Sequence, residues 1–178
     1  INNFFDALDF KEKFPGKKAK IITAISMFYD LDNPNQFIED IVECLDKDGL
    51  LIIQQNYLAG MLEKNAFDNI CHEHLEYYSL LSLEHLLKRH DLESYDVELN
   101  DVNGGSFRIY VKHKEGNVLP RKGAKERLQN LRDYELKLGL GDKGIYDQFA
   151  QKIEKTREDL TTFLKQEVSE GKTIYVFG

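Results

Sequence analysis

Hydrophobic positions along the chain recur at two periods, and the switch between them marks its elements. Lys20-Ile21-Ile22-Thr23-Ala24-Ile25 is a short apolar, β-branched run that predicts a buried parallel strand. Asp32-Asn33-Pro34 follows, with capping side chains and a proline suited to a first helical turn. Phe37, Ile38, Ile41, Val42 and Leu45 then return at helical spacing and make one apolar face. Lys47-Asp48-Gly49 is the expected stop, with Gly49 as a left-handed cap. Leu50-Leu51-Ile52-Ile53 is the next buried strand. Strand, helix, glycine and strand in this order form a βαβ unit of a parallel sheet.

A second helix is expected over 82–90, capped by Ser82, with Leu83, Leu86 and Leu87 on its apolar face. Segments 92–99 and 106–113 read as an antiparallel strand pair, joined through Asn103-Gly104-Gly105, where glycine permits a bulge or a ligand's close approach. From Pro120 the pattern turns helical. Ala124, Leu128, Leu131, Tyr134 and Leu138 mark one amphipathic helix, and Ile145, Phe149, Ile153, Leu160, Phe163, Leu164 and Val168 a longer one. Their pairing predicts a helical hairpin, and Thr173-Ile174-Tyr175-Val176-Phe177-Gly178 predicts a buried strand opening a further α/β unit. The fold class is therefore α/β, divided into residues 1–114 and 115–178. The chain opens at Ile1 inside a patterned segment and closes on a strand with no helix after it, as expected of a piece cut from something longer.

Composition narrows the function classes. The 178 residues are 42% hydrophobic and 31% charged, with three prolines, which suits a folded domain. A net charge of −7 argues against a nucleic-acid surface, which needs a basic stripe. No apolar run approaches the ~18 residues that span a bilayer. Two cysteines, Cys44 and Cys71, are too few for a disulfide framework or a thiolate zinc site, so a cytoplasmic protein with reduced thiols is expected.

The densest cluster of titratable groups is Asn69-Ile70-Cys71-His72-Glu73-His74-Leu75-Glu76-Tyr77-Tyr78-Ser79. Histidine titrates near neutrality, with an ordinary pKa of about 6.5, and a neighbouring carboxylate can fix its tautomer. Proton transfer is one use. Metal binding is another: in a strand, His72 and His74 share a face, with His113, Asp68 or Glu76 as a third ligand. Gly139-Leu140-Gly141-Asp142-Lys143-Gly144 has the letters of a dinucleotide loop but follows a helix rather than a strand, so it reads as a helix stop and linker. Residues 23–30 and Gln54-Gln55-Asn56-Tyr57 lie where parallel strands end, the edge at which open α/β sheets bind ligands. A non-catalytic nucleotide- or partner-binding module is the remaining alternative.

TAISMFYDLDNP (23–34), KDGLLIIQQNYL (47–58), FDNICHEHLEYYSL (67–80) and NGGSFRIYV (103–111) together resemble the S-adenosylmethionine-dependent sugar C-methyltransferases. The resemblance implies the C-terminal part of a Rossmann-like methyltransferase sheet, followed by the start of a C-terminal α/β domain. It implies a zinc-binding domain and the glycine-rich cofactor loop upstream of Ile1, so that zinc is no ligand of this chain and the piece alone binds cofactor poorly and is inactive. It implies a nucleotide-linked keto-deoxysugar as substrate, methylated at carbon through an enolate. On this resemblance His74 is the base, Glu73 orients it, and His72 is an alternate base or enolate donor. Thr23, Ala24, Ile25 and Phe28 match the segment passing the methionine end of S-adenosylmethionine, and Asn103 and Ser106 are substrate-binding candidates. Several relatives carry tyrosine where this chain has Cys71, with Tyr77 or Tyr78 as possible substitutes.

Overall fold

Strand β1 (Ala19–Ile25) and strand β2 (Leu45–Asn56) lie side by side and parallel, connected by helix α2 (Pro34–Cys44). The computed structural model describes residues 4–119 and 121–177, which fall into two units that part after Leu138. Helix α1 (Ala7–Lys13) precedes β1, its N-terminus capped by Asp6. Asn33 caps α2 by accepting from the Gln36 amide at 3.1 Å, and Pro34 occupies the first turn, where its missing N–H costs nothing. Ile38 and Ile41 of α2 are fully buried.

Gly49 does not cap the helix. Helix α2 ends at Cys44, β2 begins at the next residue, and Gly49 lies inside that strand with no positive φ. Pairing jumps from Ala19–Leu45 to Ile21–Leu50, so β2 carries extra residues there. A Cβ on Gly49 would lie 2.9 Å from the Ala19 carbonyl oxygen and 2.8 Å from Leu45 Cδ1. The glycine is required for close approach, as bulged strands require.

After β2 come helix α3 (Leu58–Lys64), an irregular loop, and helix α4 (Leu80–Lys88). The cap of α4 is Ser79 rather than Ser82. Ser79 Oγ accepts from the Ser82 amide at 3.1 Å, while Ser82 Oγ accepts from the Ser79 amide at 2.9 Å. This reciprocal pair is a capping box in which Ser82 holds the third helical position. Strand β3 (Leu92–Asn100) and strand β4 (Ser106–His113) are antiparallel, as the alternation predicts. The sheet order is β1-β2-β4-β3. Because β4 runs against both neighbours, the ends of β1, β2 and β3 and the start of β4 share one edge; Ser106 faces Asn56 on one side and Asn100 on the other.

Helix α5 (Ala124–Leu138) belongs to this first unit. Leu128 and Leu131 are buried, Arg127 grips the fully buried Asp96 of β3 through two hydrogen bonds, and Arg132 pairs with Glu84 of α4. The second unit holds helix α6 (Lys143–Ser169), 27 residues and about 40 Å long at 1.5 Å per residue. Gly139 takes φ +75° and Asp142 caps α6 through the Gly144 amide, so the glycines of this link do serve as helix stop and start. The predicted strand at 173–177 is absent as a strand. Tyr175, Val176 and Phe177 are exposed, and no strand among the described residues pairs with them. A buried strand exists only through its neighbours, which local sequence cannot supply. Gly178 and Pro120 lie outside the described residues.

Candidate functional site

Residues 65–79, between α3 and α4, contain the His-Glu-His cluster and fold back on the end of β1. The Tyr29 carbonyl, in the 3₁₀ turn after β1, accepts from both the Leu75 and Glu76 amides at 3.0 and 3.1 Å. These bonds pin the loop at the carboxyl edge of the sheet. The His74 ring packs on the Tyr29 ring, with centroids 4.4 Å apart and planes inclined by 60°. The Tyr77 ring lies 6.4 Å from the His74 ring, and the Tyr77 hydroxyl donates to the Asn69 carbonyl at 3.4 Å. Burial pushes the hydroxyls of Tyr29 and Tyr77 above the ordinary phenol range. Tyr78, by contrast, points into the core beside Phe28, and burial pushes its hydroxyl up to about 12. Of Tyr77 and Tyr78, Tyr77 is thus the one beside His74.

The orientation of His74 comes from the backbone. Its Nδ1 lies 2.8 Å from the Asn69 carbonyl oxygen. A carbonyl only accepts, so Nδ1 carries the proton and the neutral ring keeps its lone pair at Nε2. Glu73 does not take the orienting role expected of it. It pairs with His72 at 3.7 Å, and both side chains are exposed, at 69% and 90%. The reason is local: His72 and Glu73 form a turn rather than a strand, so neighbouring side chains splay instead of alternating. The same turn removes the premise for a shared metal face, and no group of three or more His, Cys, Asp or Glu placed to hold an ion occurs among the described residues.

Asn69 is the hub of the loop. Its carbonyl serves His74, its Oδ1 accepts from Asn56 Nδ2 at 2.6 Å, and its Nδ2 donates to the Ala66 carbonyl at 3.2 Å. Sequence reasoning placed Asn56 at the right sheet edge and gave Asn69 no role; side-chain-to-backbone bonds between distant turns leave no periodic trace.

The cofactor candidates divide. Thr23 and Ile25 are exposed on one face of β1, and Ala24 is buried between them on the other. Phe28 is fully buried against Phe37 and Tyr78, so its ring serves the core and is closed to a ligand. Asn103 is exposed in the β3–β4 turn with φ +52°. Ser106 is buried and donates its hydroxyl to the Val102 carbonyl at 2.8 Å, so it closes that turn and leaves no donor for a substrate. A concavity of about 630 Å³ opens at this edge between α3, β3 and α5, lined among others by Tyr57, Lys64, Asn100, Ser106 and Tyr134. His74 does not line it.

An open α/β sheet with a histidine held over the carboxyl end of a parallel strand is the frame on which the comparisons fall. Residues 2–97 match the family model described as methyltransferase domain. The chain belongs to the methyltransferase family. Residues 101–178 match the family model described as C-methyltransferase C-terminal domain. The chain is similar to the C-methyltransferase NovU of Streptomyces niveus, 29% identical over 160 residues, covering 90% of this chain and 37% of NovU. It thus spans little more than a third of that curated relative. Among solved structures it is similar to a chain of the complex between the Haloferax volcanii Trm112 methyltransferase activator and a methyltransferase, at 11% identity and a TM-score of 0.46, covering 56% of this chain and 57% of that one. It is also similar to magnesium protoporphyrin IX methyltransferase of Synechocystis PCC 6803, at 9% identity and a TM-score of 0.42, covering 55% and 46%. No helix among the described residues is long and apolar enough to cross a membrane.

Proposed function

We propose that this chain is part of an S-adenosylmethionine-dependent C-methyltransferase that methylates a carbon next to the keto group of a nucleotide-linked deoxysugar. The observation that carries this reading is His74: seated on Tyr29 just beyond β1, with Nδ1 bonded to the Asn69 carbonyl and Nε2 left as the basic nitrogen. A carbon next to a ketone becomes nucleophilic when a base removes its proton, and a positioned imidazole suits that step. His74 takes the proton at Nε2 and the electron pair moves into the enolate. Tyr29 and Tyr77 flank the same ring, and Tyr77, whose hydroxyl rests on the Asn69 carbonyl at 3.4 Å, can turn that donor toward the enolate oxygen. His72 and Glu73 are exposed at the tip of the turn and pair with each other.

The chain's residues fit the cofactor where they meet it. The exposed face of β1 offers the Thr23 hydroxyl and the Ile25 side chain, a mixed polar and apolar surface suited to the methionine chain, while Ala24 faces the core. When bound, S-adenosylmethionine supplies the electrophilic methyl group. This chain's contribution is to hold the base and acceptor in line with it, and positioning carries much of such an acceleration. NovU, the C-methyltransferase relative, supports the reaction type. The nucleotide-linked sugar follows from the sequence resemblance.

The test uses the full-length protein. Calorimetric titration with S-adenosylhomocysteine shows saturable binding, and incubation of a nucleotide-linked keto-deoxysugar with S-adenosylmethionine adds one methyl group at carbon. Absence of binding, or methyl appearing on oxygen, overturns the reading.

A further inference from the structure

The bond from Asn56 to Asn69 has no part in holding the sheet together, and its direction is fixed by what surrounds it. Asn69 Nδ2 donates to the Ala66 carbonyl, so the atom it turns toward Asn56 is the acceptor Oδ1, and Asn56 must present its Nδ2. Asn56 is the last residue of β2, paired across the ladder with Ser106 of β4, and is therefore tied to the rigid part of the molecule. Asn69 sits in the loop. At 2.6 Å their bond is the shortest that residue makes, and five residues on, the Asn69 carbonyl receives His74 Nδ1. The path from strand end to imidazole is two hydrogen bonds long.

We propose that Asn56 is a positioning residue: through Asn69 it holds the carbonyl against Nδ1 and so fixes His74 in the tautomer whose basic nitrogen is Nε2. The inference rests on the reading of His74 as the base, but the clamp itself does not depend on that chemistry. Without the Asn56 donor, Asn69 keeps only its bond to Ala66 on the side chain, the loop gains freedom, and both imidazole tautomers become accessible. A ring with the proton on Nε2 cannot accept one there, so the effect falls on the rate of the chemical step rather than on acceptor binding.

The experiment is nitrogen-15 NMR of the histidine side chains in the full-length protein, with the His74 signal assigned by His74→Gln. Wild type shows the Nδ1–H tautomer; Asn56→Asp, nearly the same shape but unable to donate, and Asn56→Ala both show a mixture. In parallel, methyl-transfer kinetics give kcat reduced by about 10-fold, with the KM of the nucleotide-linked keto-deoxysugar moved by less than about 2-fold. A wild-type ring protonated at Nε2 overturns the proposal before any Asn56 variant is made, and so does a tautomer unchanged in both variants. If the tautomer shifts as expected but His74→Gln keeps its turnover, the clamp stands and the base assignment falls.

Discussion

The Tyr57 hydroxyl donates to Glu135 Oε1 at 2.9 Å, joining the residue just after β2 to a helix 78 residues later. Glu135 is fully buried, and the same carboxylate accepts from the Leu80 amide at 2.6 Å and the Leu81 amide at 2.9 Å. It thus satisfies two of the amides left open at the start of α4 and places negative charge at the positive end of the helix dipole. Burial pushes the Tyr57 hydroxyl far up, and the carboxylate beside it adds to the effect, so Tyr57 stays a donor at any working pH. Removing the carboxylate strands three buried donors. Glu135→Ala should therefore lower stability by about 3–5 kcal/mol, since each orphaned group costs roughly 1–3 kcal/mol. Glu135→Gln, which keeps one acceptor, should cost less. Thermal unfolding checks the order, and hydrogen exchange at Leu80 and Leu81 should quicken in Glu135→Ala.

Asp96 gives the fold a dependence on pH. Burial works to raise its pKa, but the Arg127 hydrogen bonds, the Val97 amide and the charges of Arg127 and Arg121 outweigh it and hold the carboxyl below its usual range. Glu98 is held down chiefly by its bond from Arg121. A group whose folded pKa is depressed stabilises the fold above its unfolded pKa, and that contribution is lost as the pH falls through the folded value. Wild type should lose stability as the pH falls below about 4, the ordinary carboxylate range. Asp96→Asn should start lower at neutral pH and show a flatter decline. Melting temperatures from pH 7 to pH 2 test this, and parallel curves would refute it.

Gly49 allows β1 and β2 to approach at the bulge. Gly49→Ala should cost about 1–3 kcal/mol, because the new Cβ meets the Ala19 carbonyl oxygen and Leu45 Cδ1 inside contact distance. Comparison of urea midpoints at constant slope is the measurement. A neutral substitution would show that the bulge relaxes.

Phe28 and Ile25 separate the core from the exposed face of β1. Phe28→Leu should lower stability by about 1–2 kcal/mol, a large-to-small change in a packed ring cluster, and leave the affinity of the full-length protein for S-adenosylhomocysteine unchanged. Ile25→Asp, on the exposed face of β1, should weaken that affinity several-fold with little change in stability. Calorimetry on both variants decides the matter.

Much of the sheet was legible because its strands carry their own signal. The β-branched run at 21–25, the apolar run at 50–53 and the alternation at 106–112 each became the strand expected. Asn33-Pro34 announced α2 because capping is local chemistry. What failed had distant causes. Gly49 has the local signature of a helix cap, but its role is set by the Ala19 carbonyl packed against it across the sheet. Ser82 looked like a cap because both serines of a capping box are plausible alone. Phe28 sits in a segment matched to a ligand site, yet tertiary packing turns its ring inward. The cluster around His74 was visible as a concentration of titratable groups, but the orienting atom was a backbone oxygen, which every residue has and no pattern marks.

Proton removal by His74 is tested most directly by solvent exchange. Full-length protein is incubated in deuterated buffer with S-adenosylhomocysteine and a nucleotide-linked keto-deoxysugar, and deuterium entering the carbon next to the ketone is followed by NMR. Wild type should exchange that hydrogen, and His74→Gln should slow the exchange by about 10²–10⁴-fold, the usual contribution of a general base. Exchange in His74→Gln within about 10-fold of wild type would contradict the assignment.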